Sequence, residues 1–232
     1  MAPFGYVGGK TKLATMIVGR VPDEMGSYYE PFLGSGAVLI EVLKHRTIRG
    51  RVVASDINPK LVSVHRAIKD DPEGLIRDFE ALAADQSQEA YYRIRDEFNG
   101  KPDPARFFYL NTFTYNRLYR ENGNGKFNAP WGHGQRSTFK PDYIRSVSKL
   151  YNDHDVQFKA CTWKTALKGV RAGDVVYLDP PYVESFTGFT KHGFDDFDTE
   201  DLVDWMSATD AAVIYSNHDT DRVRCAGGSD LA

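Results

Sequence analysis

Two features that many proteins rely on are scarce in this chain: cysteines and long apolar runs. Only Cys161 and Cys225 occur among 232 residues, too few for a disulfide framework and without a zinc-binding spacing. No apolar run approaches the roughly 20 residues that cross a membrane, and the start lacks the pattern of a signal peptide. The six histidines show no metal-ligand spacing either. We therefore expect a cytoplasmic protein with no metal and no membrane partner.

The overall charge is also small, at a formal −3, which is not the charge of a bulk nucleic-acid binder. Its distribution is uneven, because residues 106–149 hold eight Lys and Arg against two acids. A basic patch on an acidic body suggests a face that contacts phosphates, with an ordinary solvated surface as an equally open alternative. The 41% hydrophobic content suffices for one sizeable core and a small inserted subdomain.

The most informative stretch is residues 175–182, with the sequence VVYLDPPY. Its first four residues predict a buried strand of a parallel sheet, and the two prolines end that strand. Asp179 then lies at the carboxyl end of a central strand, where open α/β sheets bind ligands. Asp179 and the carbonyl of Pro180 can accept hydrogen bonds from an exocyclic amine, while Tyr182 offers a ring for stacking. The alternative is a proline-rich turn whose Asp only caps.

Residues 27–56 have the pattern of a nucleoside-binding unit. A strand at 27–32 leads through a turn with Gly34 and Gly36 into a helix at 37–45. Backbone amides at such a helix start suit a polar or negatively charged ligand group. The next strand, 51–55, ends at Asp56, where an acid is placed to bind ribose hydroxyls. A helix-capping role for Asp56 or Asn58 is compatible with that placement.

The amino terminus contains Gly9-Lys10-Thr11, which is part of a phosphate-binding P-loop signature. That signature needs a glycine five positions before Gly9, where this chain has Phe4, and it needs a preceding strand. We therefore set a P-loop aside. The glycines would instead allow close approach of a ligand to the backbone. A helix is predicted at about 11–20, with Leu13, Ile17 and Val18 on one side.

The middle of the chain contains two segments with different sequence patterns. Residues 59–115 show helical patterns for three or four helices without strands, which is typical of an insertion. Residues 115–132 are polar and aromatic, and their two Asn-Gly pairs predict a hairpin. Asn pairs well with adenine and Arg with guanine, and aromatic rings can wedge between bases. A polar surface hairpin without a partner is the alternative.

Taken together, these motifs resemble the DNA adenine methyltransferase family, whose best-known members methylate the adenine of GATC. The resemblance runs from Phe4 to about Thr220. It implies a three-layer, Rossmann-like class I methyltransferase fold built from residues 1–58 and 155–232. Residues 59–154 would form a helical insertion with a target-recognition hairpin at about 115–137. The expected partner is double-stranded DNA, and the expected protein is a monomer from a bacterium or a phage.

The resemblance also assigns roles to individual residues. The catalytic set is Asp179, Pro180 and Tyr182, acting on an adenine flipped out of the duplex. The methyl donor is S-adenosylmethionine, with predicted contacts at Tyr6, Gly9, Lys10, Glu30, Phe32, Gly34, Gly36, Asp56 and Asp179. The predicted DNA contacts are Tyr115, Asn116, Arg117, Arg120, Lys126, Asn128 and Pro130. Arg117 stands where the best-known members have Gly, which leaves the exact target sequence open.

Other functions remain open at this stage: a cytosine N4 methyltransferase, an RNA or protein-amide methyltransferase, and an inactive, truncated DNA-binding remnant. Ring-carbon cytosine methylation is disfavoured because neither cysteine follows a proline.

After Tyr182 we predict a long loop at 183–197, a helix to about Ala208 capped by Asp198 or Thr199, and a strand at 211–215. Family members continue with a helix and an antiparallel strand pair, whereas this chain stops at Ala232. We expect the last strands to be missing, with an open sheet edge that favours association.

Overall fold

The centre of the molecule is a five-stranded sheet in which all neighbouring strands are parallel. The computed structural model describes residues 2–6, 8–133, 137, 139–181 and 196–216, without the side chains of 196 and 197. The strand order is β5-β4-β2-β6-β7, and a separate parallel pair joins β1 and β3. The strands are β1 (Glu24–Met25), β2 (Tyr28–Glu30), β3 (Thr47–Ile48), β4 (Val52–Asp56), β5 (Gln157–Ala160), β6 (Val175–Leu178) and β7 (Ala212–Tyr215).

Side chains alternate between the two faces of this sheet, as the period of two requires. Tyr28, Val52 and Tyr177 belong to the larger hydrophobic cluster on one face. Tyr29 and Val176 belong to a smaller cluster on the other face. Helices cover both faces, so the predicted three-layer α/β architecture is confirmed. The predicted strand at 175–178 is an interior strand of the sheet.

The helices between β4 and β5 match the predicted helical segment. Side chains of Asn58, Asp71, Ser87 and Asp103 accept hydrogen bonds from the first turns of four successive helices there. The described helices are α1 (Ala14–Val18), α2 (Ala37–His45), α3 (Pro59–Asp70), α4 (Pro72–Ala83), α5 (Gln88–Gly100), α6 (Pro104–Phe113), α7 (Pro141–Asp153), α8 (Trp163–Ala166) and α9 (Asp196–Ala208), with a 3₁₀ turn at Tyr115–Arg117.

The helical segment shares the core of the sheet. Phe79, Phe108 and Phe113 lie in the same hydrophobic cluster as Tyr28 and Val175 of the sheet. Helix α3 packs against β4 and β5, and α4 and α6 pack on one another. The helices are therefore stabilised by continuing one face of the sheet. The predicted domain borders at 58/59 and 154/155 stay a prediction.

Two local predictions are wrong. Helix α1 runs from Ala14 to Val18, and residues 11–13 form turns before it. Leu13 is 44% exposed, whereas Ile17 and Val18 are buried. Helix α9 begins at Asp196, so Asp198 and Thr199 lie inside the helix and do not cap it.

Several predictions fall on residues that the structure does not describe. Tyr182 and the loop at 183–195 are among them, and so is the tail at 217–232 with its predicted open edge. Among the described helices, none has the length and apolar character needed to cross a membrane.

Candidate active site

Three acidic residues stand at the carboxyl ends of three adjacent parallel strands. Asp56 ends β4, Glu30 ends β2, and Asp179 directly follows β6. Because neighbouring parallel strands end at the same edge of a sheet, the three acids share one edge, which is where α/β sheets bind ligands. The sequence predicted this placement for Asp56 and Asp179 from the strand ends alone.

Asp56 is tied to the glycine turn that precedes α2. Its Oδ2 accepts a hydrogen bond from the backbone N–H of Gly34 at 3.1 Å, and its Oδ1 accepts one from Asn58 at 3.0 Å. Burial raises the pKa of Asp56 to about 6, against the opposing effect of these backbone donors. A carboxylate offers about four lone-pair positions, so two backbone bonds leave acceptor capacity for ligand hydroxyls.

The turn itself needs its two glycines. Gly34 and Gly36 have φ of 49° and 70°, a left-handed conformation that side chains disfavour. A Cβ on Gly36 would also lie 3.0 Å from Cε1 of His65 and 3.2 Å from the hydroxyl of Tyr151. The turn thus brings backbone close to a buried histidine.

His65 is a buried residue of this site that the sequence reasoning missed. Its Nε2 lies 2.9 Å from the carbonyl oxygen of Gly34, and its Nδ1 lies 3.1 Å from the hydroxyl of Tyr151. Burial lowers the pKa of His65 to about 4, so the ring is neutral and donates from Nε2 while Tyr151 donates to Nδ1. The sequence did carry a signal for it, because His65 lies among the apolar residues that form the buried side of α3. A polar group on a buried helix side needs hydrogen-bond partners.

Glu30, a predicted cofactor contact, is only 2% exposed. It accepts a hydrogen bond from the hydroxyl of Tyr28 at 2.8 Å. Burial raises the pKa of Glu30 to about 8, and the nearby charge of Asp179 acts in the same direction. The carboxyl group of Glu30 is therefore buried beside Tyr28, and its contact with a cofactor stays a prediction.

Asp179 forms an ion pair with Lys10, whose Nζ lies 2.7 Å from its Oδ1. Lys10 also donates to the carbonyl of Gly8 at 3.2 Å. Burial raises the pKa of Asp179, and the ammonium of Lys10 opposes that rise. Pro180 is buried beside it. The structure thus unites the amino-terminal glycine motif and the Asp-Pro-Pro motif, which are separated by 169 positions in the sequence.

The other predicted cofactor residues divide between two places. Tyr6 lies near Gly34, since a Cβ on Gly34 would be 3.7 Å from its Cδ1. Gly9 is exposed and donates to the carbonyl of Tyr6 at 3.0 Å. Phe32 instead packs against the smaller cluster on the second face of the sheet. Tyr6 and Gly9 therefore join the acids at the edge, whereas Phe32 supports the turn from the other face.

The predicted hairpin is present. Glu121 and Phe127 form an antiparallel bridge. Asn122 donates to the carbonyl of Lys126 at 2.9 Å, and Gly125 donates back to Asn122 at 2.8 Å. The hairpin is anchored to α3 by Lys60, whose Nζ lies 2.7 Å from Oε1 of Glu121 and 3.0 Å from the carbonyl of Gly125.

Most predicted DNA contacts are exposed on this hairpin and the turn before it. Tyr115 is 57% exposed, and Asn116, Arg120, Lys126 and Pro130 are exposed as well. Arg120 holds Asn128 through a hydrogen bond of 2.8 Å from its Nε. Arg120 therefore lies beside Asn128, and Tyr115 lies beside Pro130, whose carbonyl accepts its N–H at 3.0 Å.

The predicted basic patch is smaller than the sequence count implied. Three of its eight cations pair with acids on the helices: Arg106 with Glu97 and Asp103, Arg145 with Glu73 and Asp142, and Lys149 with Asp153. The count was misleading because Glu73, Glu97, Asp103 and Asp153 lie outside residues 106–149 and still pair with cations inside that range. Arg136 lies outside the described residues. The surplus of positive charge is thus concentrated near the hairpin.

An all-parallel sheet with a glycine turn and strand-end acids defines a nucleoside-binding α/β enzyme, and the comparisons with known proteins make this specific. The D12 class of N6 adenine-specific DNA methyltransferases matches residues 6–226. The chain is 34% identical over 218 residues to the Type II methyltransferase M.MjaIII of Methanocaldococcus jannaschii, covering 83% of this chain and 74% of that protein.

Two further relatives are named as adenine methylases. The Retron Ec67 DNA adenine methylase of Escherichia coli is 31% identical over 229 residues, 94% of this chain and 78% of that protein. The DNA adenine methylase of Haemophilus influenzae is 30% identical over 234 residues, with 93% and 78% covered. The chain belongs to the D12 class of N6 adenine-specific DNA methyltransferases. The predicted reaction, methyl transfer to the N6 amine of adenine in DNA, is thereby confirmed over the cytosine, RNA and protein alternatives.

Proposed function

We propose that this chain uses S-adenosylmethionine to methylate adenine in a short duplex site of the GATC type. The observation that carries the proposal is the 2.7 Å contact between Lys10 and Asp179, which joins the amino-terminal motif to the Asp-Pro-Pro motif in one site. A site for donor and acceptor together needs both motifs at the same edge of the sheet. The Type II name of one relative supports a restriction-modification role.

The residues of this edge fit the chemistry of the donor. S-adenosylmethionine, when bound, supplies an electrophilic methyl group. Asp56 keeps acceptor capacity for ribose hydroxyls, and Lys10 is a cation suited to a carboxylate. Gly9, Gly34 and Gly36 present backbone without side chains, and Tyr6 adds a ring beside Gly34. Glu30 and Phe32 stay predicted contacts of the donor.

At the catalytic motif, two acceptors orient the target amine. Asp179 and the carbonyl of Pro180 accept the two amine hydrogens, which directs the nitrogen lone pair towards the methyl group. Asp179 must be ionised for this, and Lys10 favours its charged form. Tyr182 stacks on the flipped base. The nitrogen would gain the methyl group as the bond between that carbon and the sulfur of the donor breaks, S-adenosylhomocysteine would leave, and one proton would pass from the nitrogen to solvent. No covalent bond to the enzyme is needed.

Reading of the target falls to the hairpin and its preceding turn, within the helical insertion at 59–154. Asn116 suits an adenine edge and Arg120 a guanine edge, while Tyr115 can stack or wedge. Lys126 meets phosphate. Asn128 and Pro130 shape the loop, since Pro130 accepts the N–H of Tyr115 at 3.0 Å. Arg120 must release Asn128 when it reaches a base.

Mapping of methylated bases tests the proposal directly. DNA from cells that express the full chain should carry N6-methyladenine at one recurrent short sequence, and the matched Asp179→Ala variant should leave that sequence unmodified. Modified cytosine, or scattered adenine methylation without a recurrent site, would contradict the proposed specificity. Absence of any modification with a folded protein would indicate an inactive remnant.

A further inference from the structure

The side chain of Arg117 lies against Gly5, in the segment that leads to the amino-terminal cofactor motif. A Cβ built on Gly5 would collide with Cδ of Arg117 and would lie 2.8 Å from its Nη1 and 3.3 Å from its Nε. These are the three nearest heavy atoms, so Arg117 is the side chain closest to this face of Gly5. A residue predicted to contact DNA therefore touches the cofactor motif in this structure.

The backbone around Arg117 is unusual and directs this contact. Asn116 and Arg117 have φ of 51° and 55°, two successive left-handed residues that are not glycine. Such residues persist only where the surrounding structure holds them. Two backbone hydrogen bonds hold the turn. The N–H of Arg117 donates to the carbonyl of Thr114 at 3.1 Å, and the N–H of Leu118 donates to the carbonyl of Tyr115 at 3.1 Å.

Gly5 is held from a second side as well. The side-chain amide of Asn111, at the end of α6, donates to the carbonyl of Gly5. One residue further, the ring of Tyr6 packs against that of Tyr119, with centroids 6.0 Å apart. Residues 5 and 6 are thus contacted by Arg117 and Tyr119 of the segment that carries the predicted DNA contacts, and by Asn111 of the helix before it.

Residues 5 and 6 are continuous with the rest of the cofactor motif. Tyr6 accepts the N–H of Gly9 and lies near Gly34, and Lys10 follows with its contact to Asp179. A change of the turn at Asn116 and Arg117 would therefore reach the cofactor site through a few direct contacts.

We propose that Arg117 is a positioning residue that couples target binding to cofactor binding. Its contact with Gly5 keeps the amino-terminal motif in its cofactor-binding arrangement, and that contact depends on the arrangement of the recognition turn. The inference rests on the proposed function. By thermodynamic linkage, duplex DNA then changes the affinity for S-adenosylmethionine, and the cofactor changes the affinity for DNA by the same factor.

Calorimetric titration of S-adenosylmethionine into the full chain, alone and with a duplex that holds the target site, measures this coupling. In the unaltered protein the duplex should change the affinity for the cofactor by about five-fold or more. Arg117→Ala should weaken cofactor binding without DNA and bring the coupling factor close to one. Its preferred target sequence should not change, because Arg117 acts through Gly5 and not through a base.

Gly5→Ala breaks the same contact from the other side. The φ of Gly5 is not left-handed, so alanine suits the backbone, and its Cβ would displace the flexible Arg117 side chain. Gly5→Ala, Arg117→Ala and the double variant should all lose cofactor affinity to about the same extent, because one shared contact is lost once. Losses that multiply in the double variant would overturn the proposal. Arg77→Ala, which removes a 73% exposed arginine of α4, is the matched control and should change neither affinity nor coupling.

The outcomes separate this inference from the proposed function. If the unaltered protein binds no S-adenosylmethionine and methylates no DNA, the proposed function fails and the inference with it. If the unaltered protein is active and Arg117→Ala keeps its affinity and coupling, the inference alone is overturned. A changed target sequence with unchanged cofactor affinity would assign Arg117 to base reading instead.

Discussion

The carboxyl edge of the sheet and the recognition segment at 115–130 both present charge, but they hold it in different ways. At the edge, Asp56 is fixed by two backbone N–H groups and Asp179 by an ammonium, and burial raises the pKa of each carboxyl. In the recognition segment, Arg120 and Lys126 are exposed.

This difference indicates different roles for the two regions, one in catalysis and cofactor binding and the other in target specificity. Buried carboxyls with shifted pKa values act through their charge state, so changes at the edge should alter the rate and cofactor affinity. Exposed side chains can exchange a neighbour such as Asn128 for a base at little cost, so changes in the recognition segment should alter specificity. The predictions below test that division, from the largest expected effect to the smallest.

The largest effect is expected from Asp179→Ala. Loss of the in-plane acceptor should lower the single-turnover methylation rate by at least about 100-fold, in the range found when one oriented electrostatic group is removed. Specific DNA binding should remain, and 2-aminopurine at the target position should still brighten, because flipping does not need the acceptor. Asp179→Asn keeps an oxygen acceptor without the charge, and its methylation rate should lie between those of the unaltered protein and Asp179→Ala. A rate near that of the unaltered protein would contradict the catalytic role of Asp179.

The edge was predictable from sequence because its determinants are local. Strand β6 and helix α2 have the predicted bounds, since an apolar run closed by prolines and a glycine turn before an apolar helix are strong local signals. Asp56 and Asp179 lie at the same edge of the sheet because each stands at the carboxyl end of a strand and the strands are parallel.

Contacts between distant segments could not be predicted in this way. Lys60 and Glu121 are 61 positions apart, and neither neighbourhood in the sequence indicates the other. The same holds for the contact between His65 and Gly34 and for the contact between Arg117 and Gly5. Each depends on how the helical segment packs on the sheet, and the same packing pairs cations such as Arg145 with acids and so reduces the predicted basic patch.

The second prediction concerns Asp56 at the edge. Asp56→Ala should weaken S-adenosylmethionine binding by about 1.5–3 kcal/mol, the range for a hydrogen bond to a charged group. Part of this loss would come through Gly34, whose N–H loses its acceptor. Calorimetric titration measures the affinity, and Asp56→Asn is the matched control that keeps one acceptor oxygen. Unchanged affinity in a folded Asp56→Ala variant would refute the ribose assignment.

The third prediction moves to the recognition segment. Arg120→Ala should cost about 1–3 kcal/mol of discrimination between the target and a scrambled duplex, if Arg120 reads a guanine. Its partner for comparison is Lys126→Ala, which should weaken binding to both duplexes alike and reduce the salt dependence. Fluorescence anisotropy at several salt concentrations distinguishes the two. Equal losses on both duplexes for Arg120→Ala would argue against base reading.

The smallest effect on the methylation rate is expected from Lys10→Met, because at saturating S-adenosylmethionine the loss of rate should be confined to low pH. Burial raises the pKa of Asp179 and Lys10 opposes this, so removal of the ammonium should raise that pKa further. The methylation step needs ionised Asp179, and the rate is therefore lost as pH falls through its pKa. The acid limb of the pH profile should move to higher pH in the variant, while the rates at high pH should approach one another.

Single-turnover rates at saturating S-adenosylmethionine, measured from pH 5 to 9, test this without interference from weaker cofactor binding. The matched control is Lys12→Met, which removes an exposed lysine two positions further along and should leave the profile in place. A uniform loss of rate at every pH would mean that Lys10 acts on the geometry of the site or on the donor. A shifted acid limb with an unchanged plateau would show that Lys10 acts through the charge of Asp179, as the buried edge of the sheet requires.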